Sequence, residues 1–143
     1  MMSSPRSNSI HKIYTRVYYE DTDALGMVYY AHYLRYAERA RTEWCRERGL
    51  ESSQLMQTHK LALVVRACKV DYLAAAHLDD LLMVETELEK IGRASLRVLQ
   101  TIKRDKSTLV YLSVKLGCLN LSSGKPVIFP KVIQSCLSNI ECQ

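Results

Sequence analysis

Glu20, Asp21 and Asp23 crowd into four consecutive positions, and Gly26 follows them closely. They stand just ahead of Tyr30, where apolar residues begin to recur at helical spacing. A carboxylate near a helix N-terminus is favoured by the helix dipole. Backbone N–H groups at the same turn can receive an oxygen that develops negative charge. Such a pair can hydrolyse an activated acyl group such as a thioester, the carboxylate acting as general base on water or as nucleophile. The same spacing also suits a plain helix cap at Asp21 or Asp23, and spacing alone favours the cap.

The elements that would position these groups follow from periodicity. From Tyr30 to Arg48, Tyr33, Ala37, Ala40 and Trp44 form one stripe with Tyr36 beside it, and Arg35, Arg39, Glu43 and Arg46 fill the other face. That pattern predicts an amphipathic helix, closed by Gly49 as its C-cap. Arg39 and Glu43 stand at the i,i+4 spacing of a surface ion pair. Ile13 to Glu20 has β character, and Ser52 to Thr58 suits a second short helix. Beyond Leu61 the period falls to two. Leu61 to Tyr72, the set Leu82-Val84-Thr86-Leu88, the set Leu96-Val98-Ile102 and the set from Val110 to Cys118 read as strands. Lys90 to Arg93 and Asp105 to Thr108 read as hairpin loops, and Gly124–Pro126 as a turn. The order predicts an α+β domain with one long helix packed on an antiparallel sheet. One helix covers one face only, so an apolar opposite face or an open edge strand calls for a partner subunit.

Bulk properties narrow the rest. The chain has 143 residues, 48% of them hydrophobic, which suits one domain over residues 11–137 between short tails at 1–10 and 138–143. Its net charge of +5 comes from scattered basic residues. With no Lys/Arg run, the charge points to a phosphate-rich small molecule and away from nucleic acid. Five cysteines (Cys45, Cys68, Cys118, Cys136 and Cys142) make an odd set without a CxxC pair, so neither a disulfide framework nor a zinc site is expected. Cys68 and Cys118 read as core fillers within strands, and His59 and His77 have no companion ligands for a metal. There is no apolar run of the ~20 residues that would span a bilayer. No apolar leader is seen, and a cytoplasmic protein is expected.

The stretch Tyr19-Glu20-Asp21-Thr22-Asp23-Ala24-Leu25-Gly26-Met27-Val28-Tyr29-Tyr30-Ala31-His32-Tyr33 runs on through Tyr36-Ala37-Glu38-Arg39-Ala40-Arg41-Thr42-Glu43. It closely resembles the 4-hydroxybenzoyl-CoA thioesterase and YbgC-like family. Val65-Arg66, Asp71-Tyr72, Leu78-Asp79-Asp80 and Ser95-Leu96 extend the likeness over roughly Ile13 to Pro130. The resemblance implies a hotdog fold, in which a curved antiparallel sheet wraps a long helix. It implies hydrolysis of acyl-CoA within lipid metabolism, with acyl-carrier protein as an alternative donor, and a homodimer or homotetramer. It makes Asp23, the second aspartate of the pair, the catalytic carboxylate, and gives the backbone N–H groups of Tyr30 and Ala31 to the thioester carbonyl. Gly26, Val28, Tyr29, His32, Arg66 and Ser95 would lie against substrate, Ser95 near the pantetheine arm. Arg66, Lys69, Arg93, Arg97 and Lys131 are candidates for the CoA phosphates. No metal or redox cofactor is implied, since coenzyme A belongs to the substrate. Tyr30 stands where bacterial YbgC-type members commonly carry His, a departure that bears on how water or thioester is oriented. Two other readings are a non-catalytic acyl-CoA or acyl-carrier-protein binding subunit and another hotdog enzyme such as a dehydratase. The dehydratase needs a His and an acid across a dimer interface, and its motif is absent here.

Overall fold

Strands with one apolar face must share a core, and here they do so as one antiparallel sheet. The computed structural model describes residues 10–138, so nearly all of the two expected tails, 1–10 and 138–143, lies outside the described residues. The strands are β1 (His11–Arg16), β2 (Leu61–Tyr72), β3 (Leu81–Ile91), β4 (Ser95–Arg104), β5 (Ser107–Asn120) and β6 (Lys125–Val127). They lie in the order β1-β3-β4-β5-β2, with β6 paired to β5. The helices are α1 (His32–Glu47), α2 (Ser52–Gln54) and α3 (Lys131–Ser138). Leu82 and Val84 of β3, Leu96, Val98 and Ile102 of β4, and Val110 to Cys118 at alternate positions of β5 are buried. Against them α1 turns Tyr33, Tyr36, Ala37, Ala40 and Trp44, all buried. This is the sheet-around-helix α+β arrangement that the sequence predicts.

A polar group inside such a core needs partners, and Gln100, 1% exposed, has three. Its amide donates to the Ala37 carbonyl at 3.0 Å and to Thr86 Oγ1 at 2.9 Å, and its Oε1 accepts from Arg41 at 3.0 Å. The network ties the middle of α1 to β3 and β4.

Several boundaries differ from the periodicity. Helix α1 starts at His32, with Ala31 at its N-cap, so Tyr30 and Ala31 belong to the turn that feeds it. Strand β1 stops at Arg16, because the next residue, Val17, exchanges hydrogen bonds with the 79–80 turn (Val17 N–H to Asp80 O at 2.9 Å, Asp79 N–H to Val17 O at 3.0 Å). The expected second helix is a single turn, α2, that widens into a π-helical turn, Leu55–His59, and ends at Lys60 with φ of 56°. Helix α3 is an element that the alternation did not reveal, although its buried Ile133 and Leu137 stand four residues apart. The residues Lys125 and Pro126, read as part of a turn, open β6 instead, and the turn precedes them. Glu43 pairs with Arg46, which also holds Glu51 at 3.2 Å, and not with Arg39. Cys118 is buried as expected, but Cys68 is exposed on β2. The reason is topological, since β2 is bonded to β5 on one side and ends the sheet on the other. No helix among the described residues is long and apolar enough to cross a membrane.

Candidate active site

The Asp23 loop is a tight turn closed by backbone bonds: Gly26 N–H donates to Asp23 O at 3.0 Å and Asp23 N–H to Met27 O at 2.8 Å. Gly26 has φ of 77° with open space where a Cβ would go, so conformation and not crowding favours glycine there. Within this turn the Asp23 carboxylate holds the backbone on which it sits. Its Oδ1 accepts the N–H of Leu25 at 2.9 Å and of Met27 at 3.3 Å. Oδ2 has no hydrogen-bond partner among the described residues, and the residue is exposed. Asp23 therefore caps its own turn, and the capping of α1 that spacing favoured for either aspartate is not what the structure shows, since Ala31 holds that position without a side-chain cap. A free carboxylate oxygen on a fixed turn can take a proton from water or attack an acyl carbon.

Asp21, two residues earlier, is buried to 5% exposure. Its Oδ2 accepts Tyr18 N–H at 2.9 Å and its backbone carbonyl accepts Tyr29 N–H at 3.1 Å. Its Oδ1 lies 3.6 Å from Nε2 of His32, the first residue of α1. Burial first, and then the Asp21 charge, raise the Tyr36 pKa, so that phenol keeps its proton. Asp21 thus binds the loop to the start of the helix.

At that start, neither the Tyr30 nor the Ala31 N–H has an acceptor among the described residues. Two donors at the positive end of a 16-residue helix form a ready receptor for a carbonyl oxygen gaining charge. The Tyr30 carbonyl accepts the Tyr72 hydroxyl at 3.2 Å, and the Tyr30 ring lies 4.9 Å from Tyr29 and 6.2 Å from Tyr72. Val28 is buried and donates to Ala76 O at 2.9 Å.

The turn from Leu73 to Asp80 supports this loop, and the motif reading passed over most of it. Leu78 N–H donates to Gly26 O at 3.1 Å, and Ala76 N–H to the Tyr33 hydroxyl at 2.9 Å. Burial raises the Tyr33 pKa against the opposing Ala76 bond. Arg104 reaches from β4 to the Ala75 carbonyl at 3.1 Å and to Asp80 Oδ2 at 2.8 Å. Partial burial works against ionised Asp80, yet the Arg104 and His77 N–H bonds hold its carboxyl below the ordinary value. The sequence signal was present in Leu78-Asp79-Asp80, read there only as a turn.

Asp23, Gly26, Val28, Tyr29, Tyr30, Ala31 and His32 therefore gather at one end of α1. Arg66 and Ser95 do not join them. Ser95 pairs with Gly117 across β4 and β5, and Arg66 packs over the same Gly117, whose added Cβ would sit 2.6 Å from Arg66 Cδ. Near them, a cavity of about 150 Å³ is lined by Lys90, Ser95, Arg97 and Lys115, and another of about 260 Å³ by Val64, Arg66 and Val127. A third, of about 340 Å³, lies between α1, the 50–56 segment and β2, lined by Arg41, Leu50, Leu55, Met56 and Leu63 among others. Asp23, Tyr29 and Tyr30 line none of the three. Among the described residues no three His, Cys, Asp or Glu side chains are gathered to hold a metal.

The profile of the thioesterase-like superfamily matches residues 17–137. The chain is 44% identical over 126 residues to the acyl-CoA thioesterase YbgC of Haemophilus influenzae, covering 88% of this chain and 93% of that protein. It is 32% identical over 134 residues to the acyl-CoA thioesterase YbgC of Helicobacter pylori, covering 87% and 98%. The crystal structure of a probable thioesterase from Bartonella henselae superposes with a TM-score of 0.81 at 34% identity, covering 85% of this chain and all of that one. The fold is accordingly the hotdog fold.

Proposed function

This chain belongs to the thioesterase-like superfamily, and we propose that it is an acyl-CoA thioester hydrolase that uses Asp23 as its carboxylate. The observation that carries the assignment of Asp23 is its divided carboxylate: Oδ1 is held by the Leu25 and Met27 N–H groups, which leaves Oδ2 free to react. The thioester carbonyl accepts the Tyr30 and Ala31 N–H groups, so charge that builds on oxygen meets donors already in place. As general base, Oδ2 takes a proton from water while the water oxygen attacks the acyl carbon. As nucleophile, it forms a mixed anhydride that water then opens. In either route the C–S bond breaks and the thiolate of CoA departs.

Tyr30 supplies its backbone here and leaves an exposed ring for the substrate arm, tilted at 52° against Tyr29. His32 lies 3.6 Å from Asp21 at the first turn of α1 and serves that helix start rather than acting as a replacement base. The substrate is acyl-CoA, or the same acyl group on carrier protein, and the working form is a homodimer or homotetramer. The identity to the two YbgC thioesterases over most of the chain supports the substrate class.

Steady-state thiol release from short, medium, long and aromatic acyl-CoAs tests the proposal, read against a blank because the protein has its own cysteines. Wild type should turn over at least one substrate, and Asp23→Asn should lose about 10²-fold or more in kcat. Binding of acyl-CoA without thiol release would favour the non-catalytic subunit.

A further inference from the structure

A trans peptide bond is planar, so the carbonyl of one residue and the N–H of the next point in opposite directions within one rigid unit. The Tyr30 carbonyl and the Ala31 N–H share such a unit. Whatever holds that carbonyl therefore aims a donor that the thioesterase reading gives to the thioester oxygen. Among the described residues no backbone N–H donates to the Tyr30 carbonyl, since Leu34 N–H turns to Ala31 O at 3.2 Å and α1 begins only at His32. The bond that holds it comes from the Tyr72 hydroxyl, 42 residues further along the chain, at 3.2 Å.

Strand order fixes Tyr72. It ends β2 opposite Val110 of β5, and the next two residues, Leu73 and Ala74, both donate to Leu109 O, at 2.8 and 3.1 Å. Its ring stands edge-on to the Tyr33 ring at 5.7 Å and to the Tyr30 ring at 6.2 Å, an arrangement that aromatic pairs favour and that directs the hydroxyl. Partial burial, and then the neighbouring Tyr30, raise the Tyr72 pKa, so the phenol keeps the proton that it donates.

A hydrogen bond at the carbonyl end of an amide acts on its N–H end in two ways. It fixes where the N–H points, and it draws electron density towards oxygen, which makes the N–H a stronger donor, as along any chain of hydrogen bonds. At 3.2 Å the bond is long for a hydroxyl. It has room to shorten as charge gathers on the thioester oxygen and pulls on the Ala31 N–H. A gain that is largest in the transition state is one that raises the rate.

Resting on the thioesterase reading above, we propose that Tyr72 is a positioning residue for hydrolysis: its hydroxyl, acting through the Tyr30–Ala31 peptide, aims and strengthens the Ala31 N–H that receives the thioester carbonyl. Tyr72→Phe tests this, because it deletes the hydroxyl and keeps the ring against Tyr30 and Tyr33. Thiol release from the best acyl-CoA should show kcat lowered about 10-fold, less than the roughly 10²–10³-fold that loss of a whole oxyanion donor costs. KM and the urea midpoint should stay where they are, since an equal fall in kcat and kcat/KM marks an interaction made in the transition state alone. In the substrate-free variant the NMR resonances of the Tyr30 carbonyl carbon and the Ala31 amide nitrogen should move, a change that a merely structural role of the ring does not produce.

An unchanged kcat would overturn the proposal. A raised KM at constant kcat would do so too, because the hydroxyl would then be a substrate contact. A fall in kcat with both resonances in place would place the action of the hydroxyl elsewhere and would also overturn it. In each of these cases wild type remains active and the thioesterase reading stands. Failure of wild type on every acyl-CoA would overturn both.

Discussion

The two ends of β2 are built on opposite plans. At the Tyr72 end the chain is fastened by hydrogen bonds: the Asp23 turn, the buried Asp21 and the 73–80 turn are bonded to one another, and Asp23 stands exposed on the result. At the Leu61 end there is space, with an aliphatic cavity beside α1 and basic side chains (Lys90, Arg97 and Lys115) around a smaller one. Order is concentrated around the carboxylate proposed to react, where a small misplacement would cost rate. Volume is concentrated at the far end of the strand. The two lie about 25 Å apart along the strand.

Substitutions can sharpen or break that contrast. Asp23→Asn should have the largest effect, and it should fall on catalysis alone. Asn can still accept the Leu25 and Met27 bonds, and the residue is exposed, so urea unfolding should move by no more than about 0.5 kcal/mol. Asp21→Ala should do the reverse first. It removes the acceptor of the part-buried Tyr18 N–H, at a cost of about 1 kcal/mol in unfolding free energy, and loosens the helix start, so kcat falls as a consequence. Were Asp21→Ala to lose activity at unchanged stability, Asp21 would belong with the chemistry and the contrast between the two aspartates would fail.

At the other end, Gly117→Ala drives a Cβ to within 2.6 Å of Arg66 Cδ, so the Arg66 side chain must leave its place over Gly117. The expected cost is about 1 kcal/mol of stability, with a raised KM for acyl-CoA and kcat held. A fall in kcat at constant KM would show that this end takes part in the chemical step.

The smallest effect is expected at Asp80, whose Arg104 partner is itself partly exposed. Its folded pKa lies below the ordinary 3.8 despite partial burial, so the ionised form stabilises the fold above that value, and the contribution is lost as pH falls through the folded pKa. Wild type should exceed Asp80→Asn by no more than about 1 kcal/mol near neutrality. The gap should close in acid, read by urea unfolding as a function of pH. A gap that persists below the folded pKa would mean that packing, and not charge, holds the 77–80 turn.

Much of this molecule was legible before any coordinates, because periodicity is a local property. The Tyr33-Ala37-Ala40-Trp44 stripe names the buried face of α1, and the alternation from Leu82 to Leu88 and from Val110 to Cys118 names the buried face of the sheet. The Asp23-to-Gly26 turn was legible too, since its bonds close within four residues. What alternation cannot reveal is which partner a segment meets. Asp21 and Asp23 are the same residue type two positions apart, yet Tyr18 and the start of α1 enclose one and nothing encloses the other. Cys68 is apolar enough for a core but lies on the strand that ends the sheet. Arg66 and Ser95 sit in the stretch that resembles the family, but strand order places them around Gly117, away from Asp23. Local spacing settled the buried faces of α1 and the strands, whereas only the family resemblance pointed to Asp23 over Asp21. Strand order and long-range hydrogen bonds settled burial, and with it the separation of Asp23 from the cavities at the Leu61 end of β2, because both depend on residues far apart in the chain.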